Sequence, residues 1–356
     1  MTVFVPRADP TSVDLSLAGS EAKFPFATEA NRHLTWLGHR MWTGNLVAEI
    51  IRRRFEIFIV WGEVTNVSIW LAILASRLTR RCVVLWTHGI YGREGWLKRK
   101  ARVWFYRMAA ANLLYGNSSR ERLVQEGMDH TRLHVIYNSL DYQQQKACRL
   151  TTSQGDIART RKSLESSAAR HERILLFVGR LHKRKELDVG VRALQILNRS
   201  GPKYLLLMIG DGPEATTIDE LSRKLGVKNS VVLLGARFAE AELAPYFMAA
   251  DLGFCPGALG LFAVHAHAYG LPVITHGDIA WQGPEIEVMT DKITGCFYSR
   301  YDEQDLAARV ENWFLERPPA DVVRRVCIHS VESRYTPERQ ASAIMMALKT
   351  LTSDRP

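Results

Sequence analysis

The sequence has few cysteines and no export or membrane-spanning signal. Its 356 residues include five cysteines, Cys82, Cys148, Cys255, Cys296 and Cys327. The set is odd and has no Cys-x-x-Cys pair, so neither a disulfide framework nor a zinc ribbon is expected, and a reducing cytoplasm suits it. The first twenty residues show no basic start followed by an apolar block, which argues against a signal peptide. The most apolar window, "IFIVWGEVTNVSIWLAILASRL" (57–78), carries Gly62, Glu63 and Asn66 near its middle. It divides better into a strand and a helix than it fits a bilayer. There is also no Walker loop and no Gly-x-Gly-x-x-Gly fingerprint, so P-loop and nicotinamide chemistry have little support.

What is present is cationic and regularly patterned. Lys and Arg number 47 against 37 Asp and Glu, a net +10, with 47% hydrophobic residues. That length and apolar content suffice for two domains, each with its own core. The charge suits a polyanion, which anionic lipid, nucleic acid and phosphorylated substrates all satisfy.

Short apolar runs alternate with segments of helical period. In the first half the strands are "FEIFIVW" (55–61), "CVVLW" (82–86), "NLLYG" (112–116) and "LHVIY" (133–137), with helices between them. Residues 142–172, rich in Gln, Ser, Thr and Arg, read as a linker with a helix near 157–169. A second alternation follows from "RILLFVG" (173–179) through "YLLLMIG" (204–210), "VVLLG" (231–235) and "LGFCPG" (252–257) to a helix at 303–315. This predicts an α/β protein of two doubly wound, Rossmann-like domains facing a cleft, with ligands at the carboxyl ends of the strands. The expected division is 1–150, linker 151–172, 173–335, and a C-terminal helix at 336–356 returning to the first domain. About fifty residues precede the strand at 55, room for one βα unit, so the N-terminal domain has a short start.

Four segments bear on chemistry. "LLFVGRLHKRKELDVGVRAL" (175–194) ends a strand at Gly179 and Arg180 and sets Lys183, Arg184 and Lys185 before a helix, a placement that suits a phosphate or a solvated basic loop equally. "MIGDGPE" (208–214) has two glycines past a strand, a tight turn open to close approach by a ligand. "PGALGLFAVHAHAYG" (256–270) brings Gly257 and Gly260 before a short helix. His265 and His267 on that helix point about 200° apart, which disfavours a shared metal. "VVLWTHGIYG" (83–92) ends a strand with His88 aimed at the cleft or capping a loop. Beyond these, "REGWLKRKARVWFYRMAAANLL" (93–114) interleaves Trp96, Trp104, Phe105 and Tyr106 with six cations. It fits either a helix at an anionic membrane surface or a core stripe with a basic face. No nucleic-acid-binding pattern accompanies it, so no nucleic acid is expected as a partner.

In this order, "VGRL" with Lys185 five residues after Arg180, "IGDGP", "LLGA", "PGALGL…AYGLPVI" and "GPEIEVMTDKITGCF" (283–297) resemble the retaining GT-B glycosyltransferases of the GT4 type. "WTHGIYG" and "VIYNSLD" resemble N-domain elements of bacterial polysaccharide-assembly members. The resemblance implies transfer of a sugar from a nucleotide-sugar donor to a lipid-linked glycan or polysaccharide acceptor, with retention, on the inner face of the cell membrane. By it Arg180, Lys185 and His88 are the catalytic group. Gly179, Gly257, Gly260, Leu261, Phe262, His265 and Glu285 join them at the substrate, with Gly235 and Ala236 against the base. No cofactor and no metal are expected, and no Asp-x-Asp pair is present to hold one. Two family glutamates spaced E-x7-E fall on Gly257 and His265. That loss, with the short start, keeps a second reading open: a non-catalytic or truncated GT-B protein that binds nucleotide-sugar or a partner transferase.

Overall fold

A computed structural model describes the strands at 3–6, 28–31, 33–36 and 40–43 and residues 46–52, 55–90, 92–164, 171–201 and 203–353. Near the N-terminus, strands β1 (Val3–Pro6) and β2 (Thr28–Asn31) pair in parallel, and β3 (His33–Trp36) and β4 (Arg40–Thr43) form an antiparallel pair. Helix α1 (Leu46–Arg52) follows. These replace the single βα unit expected there. The rest of the start lies outside the described residues.

The first α/β unit is a four-stranded parallel sheet in the order β5 (Ile57–Trp61), β6 (Cys82–Thr87), β7 (Ala111–Leu114), β8 (Leu133–Val135). Helices α2 (Val67–Leu78), α3 (Trp96–Met108) and α4 (Asn117–Gln125) make the crossovers. Asn66 caps α2 by accepting from the Ser68 N–H at 3.2 Å. Of the aromatic residues on α3, Phe105 and Tyr106 are fully buried whereas Trp96 and Trp104 are exposed. The helix therefore divides its rings between core and solvent, so neither a core stripe nor a membrane face takes all of them.

The segment 142–172, expected to be a linker, is largely helical. Helices α5 (Tyr142–Thr151) and α6 (Gln154–Leu164) occupy it. Asp141 caps α5 through the Gln144 N–H at 3.0 Å. Most of the polar content that looked like linker forms the solvent face of these helices, while Tyr142, Gln145, Arg149 and Leu164 are buried.

The second unit is a six-stranded parallel sheet in the order β11 (Val231–Leu233), β10 (Tyr204–Ile209), β9 (Arg173–Val178), β12 (Leu252–Phe254), β13 (Val273–His276), β14 (Gly295–Tyr298). Its helices are α7 (Leu187–Leu197), α8 (Ala215–Lys224), α9 (Glu240–Ala249), α10 (Phe262–Ala268) and α11 (Glu303–Glu316). The central strands are apolar along their whole length because helices cover both faces of the sheet. The strand order reverses between β9 and β12, and such a switch point opens a crevice at the strands' carboxyl ends.

Two features join the units. Helices α12 (Ala320–Arg334) and α13 (Pro337–Ser353) end the chain, and Ala347 of α13 lies in one buried cluster with Val84, Ala111, Leu113 and Ile136 of the first unit. From the second unit, Glu287 accepts hydrogen bonds from the N–H groups of Asn117 (2.8 Å) and Ser118 (2.7 Å) and from Ser118 Oγ (2.7 Å). Its carboxylate thereby caps the N-terminus of α4 across the domain boundary.

Candidate active site

The turn after β9 and the loop after β12 lie back to back at the switch point. Gly257 N–H donates to Lys185 O and Ala258 N–H to Arg184 O, each at 2.8 Å. A Cβ on Gly257 would overlap the Arg184 carbonyl oxygen and lie 2.5 Å from the Lys185 carbonyl carbon. The Gly257 carbonyl accepts from Thr275 Oγ1 (3.1 Å) and Gln282 Nε2 (3.3 Å). Gly257 thus serves backbone packing and has its polar groups committed to neighbours. No glutamate fits there because the 184–185 backbone occupies the space.

Lys185 reaches over the same loop. Its ammonium donates to the carbonyl oxygens of Ala258 (2.6 Å) and Leu259 (3.1 Å). An ammonium has three donors, so one proton is left for a ligand oxygen. Gly260, at φ 57°, turns the chain in the left-handed region. Leu261 and Phe262 then open α10 with N–H groups that have no partner one turn earlier. Gln282 braces the loop, accepting from Leu259 N–H at 2.8 Å. Arg180 is exposed two residues past the end of β9, and Gly179 N–H is held by Ile209 O at 2.9 Å.

The glycines of "IGDGP" face the protein's own backbone. A Cβ on Gly210 would lie 2.8 Å from the Gly179 carbonyl carbon, and one on Gly212 the same distance from that of Leu181. The close approach foreseen for a ligand is therefore made by the β9 turn. Gly235, at φ 71°, and Ala236 form an exposed turn fixed by Gly210 N–H to Gly235 O at 2.8 Å.

His265 and His267 part company as helical spacing requires. His267 is fully buried, with Nδ1 3.1 Å from Ser330 Oγ and Nε2 3.3 Å from Thr294 O. Burial lowers its pKa to about 4, against a smaller upward effect from the Thr294 carbonyl. His265 turns to α9, where its Nε2 lies 2.8 Å from Glu240 Oε1 and Tyr269 donates to the same oxygen at 2.6 Å. The Glu240 side chain is only 12% exposed. Burial raises its pKa, but the bonds from His265 and Tyr269 outweigh this and hold it below the ordinary carboxylate value. A carboxylate therefore stands beside position 265 after all, supplied from another helix. Sequence reading missed it because nothing in the spacing links 240 to 265. Among the described residues no group of three or more His, Cys, Asp or Glu is arranged to hold a metal.

On the opposite wall, His88 follows β6. Its loop is clamped by Ser119 Oγ to His88 O (2.7 Å) and Tyr106 OH to Gly89 O (3.2 Å). Burial lowers the His88 pKa, while Glu285 of the second unit and Glu63 pull it up and Arg102 pushes it down. Glu285 is buried and accepts from Asn138 Nδ2 at 3.1 Å. It thus sits where the two units meet and within electrostatic reach of His88.

The sequence of each unit matches a separate family model. Residues 159–325 match the model described as glycosyl transferases group 1, and residues 1–144 match Glycosyltransferase Family 4. The chain belongs to the GT4-type glycosyltransferases. Among relatives of this glycosyltransferase, the alpha-monoglucosyldiacylglycerol synthase of Streptococcus pneumoniae is 29% identical over 151 residues, 41% of this chain and 32% of that protein. The D-inositol 3-phosphate glycosyltransferase of Salinispora arenicola is 28% identical over 212 residues, 55% of this chain and 45% of that one. The matches therefore span less than half of either relative. The fold is GT-B: the crystal structure of Anabaena HepE in complex with UDP superposes with a TM-score of 0.70 at 20% identity, covering 92% of this chain and 86% of HepE.

Proposed function

We propose that this chain moves a sugar from a nucleotide-sugar donor to a lipid-linked or polysaccharide acceptor, with retention at the anomeric carbon. The observation that carries the reading is Lys185, tied to Ala258 O and Leu259 O with one donor unspent at the mouth of the Gly260–Phe262 loop. In this reading that proton, the exposed Arg180 and the N–H groups of Gly260, Leu261 and Phe262 face the diphosphate as it departs and gains negative charge. The C1–O bond to the β-phosphate breaks as C1 bonds to the acceptor oxygen, and the acceptor hydroxyl proton leaves with the phosphate. His88, held neutral by burial, stands near the transferred sugar as a hydrogen-bonding group. Gly235 and Ala236 lie against the base, and His265 with Glu240 lies toward the ribose. Neither a metal nor another cofactor enters this scheme.

The same reading sets the enzyme on the cytoplasmic face of a membrane. No helix among the described residues is long and apolar enough to cross one. On α2, however, Val67, Leu71, Leu74 and Leu78 form one exposed stripe. On α3, Trp96, Leu97 and Trp104 are exposed beside Lys98 and Lys100, and the Trp70 and Trp104 rings join the two helices at 5.2 Å. An apolar stripe edged by cations suits an anionic lipid surface.

The decisive experiment incubates the protein with a panel of nucleotide-sugars and a membrane extract, then assigns the anomeric configuration of any product by NMR. A retained product supports the proposal. An inverted product, or nucleotide binding without turnover on any donor, overturns it, the latter in favour of a non-catalytic nucleotide-sugar binder. Sedimentation with anionic and zwitterionic vesicles tests the membrane face. Binding that ignores lipid charge, or that survives Leu74→Asp with Leu78→Asp, removes it.

A further inference from the structure

The two walls of the cleft differ in chemistry. The second unit presents Arg180, Lys183, Arg184 and Lys185 after β9. The first presents rings. Trp61 ends β5 and is 52% exposed. Its ring stands edge-on to His88 at 5.7 Å and 78°, and tilted to Tyr115 at 6.2 Å. His88 and Tyr115 lie 4.6 Å apart. Three rings from the carboxyl ends of three adjacent strands, β5, β6 and β7, thus form a shallow cup at the cleft in which Trp61 is exposed, His88 half-buried and Tyr115 buried.

The backbone is shaped to keep these rings together. Gly62 N–H donates to Trp86 O at 2.8 Å, and a Cβ on Gly62 would lie 2.9 Å from Thr87 Cβ. The end of β5 therefore packs directly on the end of β6, which brings Trp61 to His88.

We propose that Trp61, His88 and Tyr115 form a binding site for an uncharged sugar ring, the terminal pyranose of the acceptor. This rests on the glycosyltransferase reading and narrows its acceptor. A pyranose offers an apolar C–H face to an aromatic ring and hydroxyls at its edge, and aromatic walls with a few polar groups are the common form of such sites. The local charge opposes an anion. Two carboxylates, Glu63 and Glu285, act on His88 against one cation, Arg102. Arg102 is itself turned to Gly89 O at 3.3 Å and Glu94 at 3.9 Å. A phosphate or carboxylate group at the acceptor's reactive end would meet net repulsion here, whereas it would be welcome across the cleft.

The test uses the full chain saturated with UDP, which fills the nucleotide position, and the Trp61 variants separate the cup from the transferred-sugar position beside it. Saturation-transfer NMR titrations follow methyl β-D-glucopyranoside, methyl α-D-galactopyranoside and glucose 1-phosphate against wild type, Trp61→Ala and Trp61→Phe. At least one neutral glycoside is expected to saturate, about tenfold more weakly in Trp61→Ala and within about threefold of wild type in Trp61→Phe. Glucose 1-phosphate is expected to bind more weakly than the neutral glycosides. Wild-type protein that takes neither glycoside, an affinity unchanged in Trp61→Ala, or tighter binding of the phosphorylated sugar would each overturn the site. UDP affinity is measured separately by calorimetry. Absence of UDP binding with the glycoside results intact removes the donor reading and leaves the cup standing.

Discussion

The ammonium of Lys185 lies 2.6 Å from the carbonyl oxygen of Ala258, so the cation proposed to face the donor also holds the loop after β12. Removing it does two things at once. If the proposed transfer holds, Lys185→Ala should lower kcat/KM by at least about 100-fold and weaken binding of the donor nucleotide, with a modest loss of Tm. Lys185→Arg should recover little, because a planar guanidinium cannot direct separate donors to Ala258, Leu259 and a phosphate as an ammonium does. Steady-state kinetics with calorimetry on UDP decides it. Near-normal turnover in either variant would remove Lys185 from the chemistry.

Restoring the family's glutamate at 257 should harm the protein. The space for a Cβ there is filled by the backbone of Arg184 and Lys185. Gly257→Ala should cost about 2–3 kcal/mol, roughly 5–10 °C in Tm, and Gly257→Glu at least as much. A thermal melt of both variants measures this. An unchanged Tm would mean that the two turns do not pack as described.

Much of this was legible from residues 173–315. Strands such as "YLLLMI" read as continuous apolar runs because a parallel sheet is buried on both faces. Cations between a strand and a helix suited a phosphate or a solvated loop equally, and only the family resemblance singled out Lys185 among them. The rest depended on contacts that spacing does not encode. Glu240 meets His265 only when α9 packs beside α10. Glu287 bridges to Ser118 over 169 residues, while the sequence drew attention to Glu285 two positions earlier. The polar composition of 142–164 concealed α5 and blurred the bounds of α6, expected near 157–169, because one buried stripe is enough to dock such helices.

His267 makes stability depend on pH. Its folded pKa is about 4, below the ordinary 6.5, because burial disfavours the charged ring. Below pH 6.5 the unfolded chain takes up a proton that the native state refuses, so stability falls as pH drops from 6.5 towards 4. Between pH 7 and pH 5 the loss should be about 2 kcal/mol. Urea unfolding at the two pH values, in wild type and in His267→Gln, isolates it. The variant starts less stable but should show a flatter dependence, and equal slopes would contradict the buried neutral ring.

Glu287 couples the two units by capping α4 from the other side of the cleft. Loss of the four bonds from Asn117 and Ser118 leaves N–H groups at a helix end without their anionic partner, at a cost of about 2 kcal/mol. The cost should fall on the contact between units more than on either core, since Glu287 takes no part in the apolar cluster that centres on β9 and β10. Differential scanning calorimetry should therefore show the transition broadening or dividing in Glu287→Ala. Glu287→Gln, which keeps an acceptor oxygen but not the charge, should lie between that variant and wild type. A single sharp transition at the wild-type Tm in Glu287→Ala would show that the clasp does not couple the units.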